Sequence, residues 1–428
     1  MVIGFAVSQA RARASINRVS SNGSSASPAD VIVVGGGIIG LAVAWRAQAR
    51  GMSVTVLERD RAGAGTSSVA AGMLAPVTEV EFGEAGRRLL ELGMRSAQMW
   101  PAFAERLATT TGIELGLMRT GTLLVARDED EARELDRQIA FRDSLGLRTI
   151  RLRPSDARER EPALAPTVRL ALEAPDDHSV DPRLVLTALR TACEAAGVQL
   201  REHAKVTRIA LDGLGERVTG VTLASGEDDR GDEELLPTEQ VVLAAGAWTG
   251  EIAGIEDAGV PVRPVRGQLL RLRDPAGSGL LRRIVRFEGG YLVPRADGRY
   301  VLGATVEERG FDLQPTVGGV YELLRDAHEL VPGVSELQIE ELCVGLRPGT
   351  PDNAPAIGPG ALDGLTWATG HYRNGILLAP LTAELVTGLL AGEQPPAELL
   401  SACAPLRFVA PARQSLPGAV TPPAVGRS

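Results

Sequence analysis

Asp30-Val-Ile-Val-Val-Gly-Gly-Gly-Ile-Ile-Gly40 is the stretch on which the fold turns. Val31 to Val34 is a continuous apolar run, as a strand buried on both faces requires, and Gly35, Gly37 and Gly40 hold the G-x-G-x-x-G spacing. The first glycine permits a tight turn, the second lets backbone approach a pyrophosphate, and the third lets the helix from Ile38 to Arg50 pack on the strand. The start of that helix, with Ile38 and Ile39, then faces the phosphates. Ser53 to Leu57 is the next apolar strand. Glu58, followed by Arg59, stands where a carboxylate grips a ribose hydroxyl. Strand, turn, helix, second strand and acid, in that order, predict a dinucleotide-binding β-α-β unit.

The 428 residues suffice for about two or three domains. A net charge of -9 without a long basic cluster gives no support to a nucleic-acid or anionic-membrane partner, so the charged ligand is expected to be small. Lys205 is the sole lysine among 45 basic residues, which leaves little scope for Schiff-base chemistry. Cys193, Cys343 and Cys403 lie far apart, with no C-x-x-C and no zinc spacing; a reducing compartment, and hence the cytoplasm, is expected. No apolar run reaches the roughly 18 residues of a membrane span. Residues 1–29, with arginines and serines but no acid, read as a disordered leader, a transit peptide being the competing reading. Residues 401–428 read as a disordered tail.

Outward from the first unit, Arg61 to Met73 is a loop of small and hydroxyl residues suited to lie against a cofactor. Helical periodicity runs over Gly86 to Thr110, Asp128 to Leu145 and Arg183 to Ala196, with a strand from Gly121 to Ala126. Val206 to Leu211 and Val218 to Leu223 form a hairpin, Glu227 to Glu234 a solvated acidic loop, and Val241 to Gly246 a strand returning to the first sheet. From Val262 to Thr305 the strands are short and alternating, which predicts an antiparallel sheet in a second domain. The expectation is an α/β fold: a Rossmann-like domain from 30–105, 161–258 and 343–400, interleaved with an α+β substrate domain from 106–160 and 259–342.

Two later segments narrow the ligand: Gly345-Leu-Arg-Pro-Gly-Thr-Pro-Asp-Asn-Ala-Pro-Ala-Ile-Gly358 and Ala368-Thr-Gly-His-Tyr-Arg-Asn-Gly-Ile-Leu-Leu-Ala-Pro380. In the second, a strand ends at Thr369, Gly370 to Gly375 turns, and Ile376 starts a helix, so a second positive helix end approaches the ligand. A dinucleotide served by helix ends from both extremities of the chain suggests flavin adenine dinucleotide, FAD. The planar guanidinium of Arg347, its loop fixed by Pro348 and Gly349, matches a carboxylate ligand, although a structural salt bridge fits the same pattern.

Together with Arg-Gly-Gln268, Gly-Gly-Tyr-Leu-Val-Pro-Arg295 and Val-Leu-Gly-Ala-Thr305, these segments resemble the glycine/D-amino-acid oxidase family of FAD flavoproteins, and within it the glycine-oxidising branch tied to thiamine biosynthesis. The likeness covers residues 30 to 395. It implies that Arg347 holds the substrate carboxylate, Tyr291 hydrogen-bonds to it, and Arg373 lies beside substrate and flavin. It further implies flavin contacts from the amides of Gly375, Ile376 and Leu377 and from Thr66, Ser67, Gly72 and Met73, with Val206 at the adenine. Ala245, Gly246, Gly370 and Asn374 complete the cofactor set, and no metal is called for. The implied activity is oxidative deamination of glycine, with sarcosine and small D-amino acids as further candidates, to an imine and oxo acid, ammonia and hydrogen peroxide. Dioxygen, a transient thiazole synthase and a homotetramer are the implied partners. The competing reading is a D-amino-acid dehydrogenase that passes electrons to a quinone.

His371 is expected to pack the turn rather than act as a base, since the chemistry needs a neutral amine and correct positioning. His178 beside Asp176-Asp177 suggests a capped loop, not a metal site. Cys343 lies near the position at which sarcosine-oxidase relatives attach flavin, but offset by two residues, so FAD is expected to be non-covalent.

Overall fold

The computed structural model describes residues 29–224, 233–256, 259–277 and 279–409. The leader up to Pro28, most of the 227–234 loop and the tail beyond Val409 lie outside them. Val31–Val34 is the centre of a six-stranded sheet in the order 356–359, 365–369, 241–243, 31–34, 54–57, 199–201. All neighbours run parallel except the antiparallel pair 356–359 and 365–369. The chain leaves Val34 for one neighbour, 54–57, while 241–243 lies on the other side. The glycine turn therefore sits at a topological switch point, where open α/β sheets bind ligands.

Four helices cover this sheet. Ile38–Ala49 has nine buried residues around its circumference and must be enclosed on every side. Gly375–Leu390, Pro182–Ala196 and Glu84–Thr111 pack around it. The Gly375–Leu390 helix contains Pro380, which supplies no backbone N–H to the helical ladder. The next carbonyl along from the one that Pro380 leaves without its helical donor is held by two side chains of the long helix: Ser96 Oγ and Trp100 Nε1 both donate to Leu377, at 2.6 and 2.9 Å. Trp100 is fully buried. The first turn of Gly375–Leu390 is thereby held from the side, independently of its own hydrogen bonds.

The second sheet has eight strands, in the order 338–349, 263–273, 299–303, 290–294, 284–287, 122–126, 170–174, 150–152. Neighbours are antiparallel apart from the parallel pair 284–287 and 122–126. Three boundaries differ from the sequence expectation. Leu170–Ala174, within the 161–258 cofactor segment, pairs with Thr122–Ala126 in the larger sheet. The cut at 343 divides one continuous strand, Gln338–Gly349, that pairs along its length with Arg263–Arg273. The tail begins later than 401, because Leu399 and Cys403 are buried in the cofactor-domain core and Arg407 pairs with Asp352 at 2.8 Å. In each case a long-range partner, invisible in local composition, sets the boundary.

Buried arginines of the larger sheet join it to the cofactor loop. Arg271 donates to the carbonyl of Ser68 at 2.6 Å and Arg295 to that of Ala71. Asp181, which caps the Pro182–Ala196 helix through the amide of Arg183, also pairs with Arg299 at 2.9 Å. Replacing Trp100 by Phe removes one donor from Leu377. It is expected to cost about 1–2 kcal/mol, read as a lower urea midpoint of the FAD-loaded protein, and to weaken FAD retention.

Candidate active site

A cavity of about 1120 Å³ opens between the two sheets. That exceeds the roughly 300–1,000 Å³ of a drug-sized ligand site and leaves room for a dinucleotide and a small substrate. Gly35, Gly37, Ile38, Ile39, Glu58, Arg59, Thr66, Ser67, Gly72, Met73, Val206, Ala245 and Gly246 line it. So do Arg373, Asn374, Gly375, Ile376 and Leu377, together with Tyr291 and Arg347. Gly40 and Gly370 do not; both act on the backbone behind the wall. A Cβ at Gly40 would stand 1.9 Å from the carbonyl oxygen of Gly35, and one at Gly370, where φ is +73°, would meet Thr350 at 2.5 Å.

The cavity fits FAD at both helix ends. Neither the Ile38–Ala49 nor the Gly375–Leu390 helix has a side-chain N-cap. In the first, Ser67 Oγ accepts from the amide of Ile38 at 3.1 Å, which fixes the loop of small residues against the turn. In the second, the first intrahelical bond runs from Leu378 to Asn374, so the amides of Gly375, Ile376 and Leu377 precede the ladder and point toward the cavity. Glu58 accepts the amides of Gly36 and Asp60 at 2.7 and 2.9 Å, which holds its carboxylate rigidly at the edge of the first turn. Arg59 lies flat over the Trp248 ring at 3.7 Å from its centroid, and Trp248 stacks on Phe311. Trp248 and Phe311 are cavity-wall residues that the sequence reading did not single out; their stacking joins distant segments.

Arg347 belongs to a strand, not a loop: it pairs with Val265 across the Arg263–Arg273 ladder. The ladder, rather than a loop fixed by Pro348 and Gly349, sets its position. Thr66 Oγ1 donates to the carbonyl of Leu346 at 2.8 Å and accepts its amide at 3.2 Å, pinning this strand to the cofactor loop. The Arg347 guanidinium lies across bare Gly267 and donates to the carbonyls of Arg266 and Thr305 at 3.3 and 3.0 Å. Among the described residues no carboxylate pairs with it, in contrast to Arg373, which takes Glu81 at 2.8 Å and Glu79 at 3.6 Å. Arg373 is thus committed to acids of the chain. Tyr291 lies over Gly303, its partner in the next strand. Burial pushes its phenol up, with Arg347 opposing and Glu79 reinforcing the shift.

His371 is buried and shares a 2.9 Å hydrogen bond with Thr382 of the Gly375–Leu390 helix. Desolvation depresses it to about 3, which keeps the ring neutral and makes it packing for the turn. Cys343 is buried away from the cavity wall, its thiol pushed up by desolvation and then by Glu341, so it offers no thiolate to a flavin.

Residues 30–389 match the family described as FAD dependent oxidoreductase, DAO. The chain belongs to this family. It uses FAD and is an oxidoreductase. A glycine oxidase from Geobacillus kaustophilus is 36% identical over 366 residues, covering 84% of this chain and 92% of that one. A glycine oxidase from Pseudomonas putida is 33% identical over 367 residues, covering 85% and 95%. The bifunctional protein ThiO/ThiG of Synechocystis is 37% identical over 385 residues, which are 89% of this chain but only 54% of that protein. The solved glycine oxidase of Geobacillus kaustophilus superposes with a TM-score of 0.81 at 34% identity, over 89% of this chain and 99% of its own.

Two variants test the site. A Cβ at Gly267 would meet the Arg347 guanidinium at 2.4 Å. Since the far end of a side chain can move, Gly267→Ala should fold and retain FAD yet bind acetate roughly tenfold or more weakly, as titrated by flavin absorbance. His371→Asn should keep turnover within a few-fold at pH 7. Because the native ring titrates below the ordinary 6.5, its contribution to stability is present above that pH and lost as pH falls toward 3. The stability gap between native and variant, from urea unfolding, should therefore shrink between pH 7 and pH 5.

Proposed function

We propose that the chain oxidises glycine, with sarcosine and small D-amino acids as further substrates, and that dioxygen is its electron acceptor. Glycine, dioxygen and water would give glyoxylate, ammonia and hydrogen peroxide. The observation that carries this reading is Arg347: a guanidinium on the cavity wall, positioned by its ladder and by Thr66, with carbonyls on one side and, among the described residues, no acid paired with it. Glycine oxidases among the relatives, similar over nearly their full length, support the choice of substrate.

In this reading Arg347 binds the substrate carboxylate by a charge-assisted, bidentate contact. Tyr291, kept protonated by burial, donates a hydrogen bond to the same group. Bound FAD would accept the two electrons removed from the amino acid. The amides of Gly375, Ile376 and Leu377 would face its ring, where the positive helix end favours developing negative charge. Arg373 supports the wall through Glu79 and Glu81 rather than the substrate.

We propose that the enzyme acts in the cytoplasm as a homotetramer. A thiazole synthase is proposed as a transient partner that takes up the imine, in line with the bifunctional ThiO/ThiG relative. Arg347→Ala is expected to raise KM for glycine by more than tenfold, from the roughly 1.5–3 kcal/mol of a charged hydrogen bond, with FAD content unchanged. Peroxide release from glycine, sarcosine and D-alanine would be followed in the same assay. An unchanged KM, or dye reduction without peroxide, would overturn the reading.

A further inference from the structure

Glu79 lies on the cavity wall, close enough to Tyr291 for its charge to act on the hydroxyl, as that of Arg347 does. Its position is fixed by the two residues before it. Asp177 accepts the amides of Val77 and Thr78, each at 3.0 Å, and the Thr78 hydroxyl at 2.6 Å. Arg142, fully buried, donates to the carbonyls of the same two residues at 2.9 and 3.0 Å. Every backbone hydrogen-bonding group of Val77 and Thr78 is therefore taken by a buried charged side chain, and Glu79 cannot drift.

The carboxylate of Glu79 has a close contact on one side and only a long ion pair on the other. Oε1 pairs with Arg286 at 2.8 Å, from the strand position directly opposite Tyr291. Oε2 is buried and has no hydrogen-bond partner; the Arg373 guanidinium stands 3.6 Å away, beyond hydrogen-bond reach. Among the described residues it is the only buried carboxylate oxygen left in that condition. Burial alone pushes the Glu79 carboxyl up, but Arg286, Arg373, Arg347 and Arg142 together bring it below its ordinary value, so it remains an anion and an acceptor. A buried acceptor without a donor is costly unless a ligand supplies one.

The two ends of an α-amino acid differ in what they can supply. Its carboxylate accepts and suits Arg347; its amino group donates. We infer that Glu79 recognises the substrate amine, with Oε2 accepting one amine N–H while Arg347 and Tyr291 hold the carboxylate. This deepens, and rests on, the amino-acid oxidase reading above. It defines the substrate class by the nitrogen: primary and secondary amines keep an N–H when unprotonated and are accepted, whereas tertiary amines have none to give.

The FAD-loaded protein and its Glu79→Gln and Glu79→Asp variants test this. Asp keeps the charge facing Arg286 and withdraws the oxygens by one methylene, which guards against a variant that fails to fold. Both variants should raise KM for glycine about tenfold or more and leave acetate binding, read from flavin absorbance, within twofold of native. The native enzyme should oxidise glycine and sarcosine but oxidise N,N-dimethylglycine at least a hundredfold less efficiently. Unchanged glycine KM in both variants, an equal loss of acetate binding, or efficient oxidation of N,N-dimethylglycine overturns the assignment. A native protein that oxidises no amino acid overturns the functional reading instead, and that result is distinguished because it appears before any variant is made.

Discussion

Unpaired backbone amides at a helix start can receive a ligand only if something else holds the helix in place. This constraint shapes the cofactor half of the molecule. At Gly375–Leu390 no side chain caps the end, and Pro380 weakens the ladder that would otherwise stiffen it. The side bonds from Ser96 and Trp100 to the carbonyl of Leu377 fix the turn from the long helix instead. At Ile38–Ala49 the same task falls to close backbone contact, with Gly40 lying directly on the carbonyl of Gly35. One helix end is held by side-chain donors, the other by the absence of side chains.

The substrate half follows a complementary rule: its charged groups are positioned by strands and bare glycines. Gly267 makes room for Arg347 and Gly303 for Tyr291, so both polar side chains lie along the sheet instead of standing off it. The arginines of this face are divided by their partners. Arg271 and Arg295 bind carbonyls of the cofactor loop, and Arg286 and Arg373 bind acids of the 79–81 segment. Arg347 is left facing the cavity with carbonyl contacts alone. Since a guanidinium cannot be neutralised at physiological pH, one that meets no acid among the described residues is suited to an anionic ligand, which is the role proposed for Arg347.

Much of this was legible in the sequence because its causes are local. The glycine spacing and apolar strand at 31–40 fix a β-α-β unit by turn geometry and burial. Helix limits such as Glu129–Ser144 and Pro182–Ala196 fall within two residues of the sequence reading because Asp128 and Asp181 cap them with their own side chains. What could not be read depends on pairing across the chain. Arg373 meets Glu81 over a separation of 292 residues, and nothing near either one signals the other. Glu79 sits in an unremarkable Val-Thr-Glu-Val stretch, and its role emerges only once Asp177 and Arg142 are seen to grip the preceding peptides. Leu170–Ala174 is as apolar as a strand of the first sheet, and only its pairing with Thr122–Ala126 assigns it to the second.

The strand order of the smaller parallel sheet also governs when the molecule can be finished during synthesis. Its central strand, 31–34, leaves the ribosome first, yet its neighbour but one, 365–369, and the helix that supplies the second set of amides follow more than 300 residues later. At about 5–20 residues per second, the nascent chain must wait on the order of tens of seconds with its earliest apolar strand lacking part of its sheet. Cofactor capture is consequently a late event in the life of each polypeptide, and the growing chain passes most of its translation as an incomplete apoprotein.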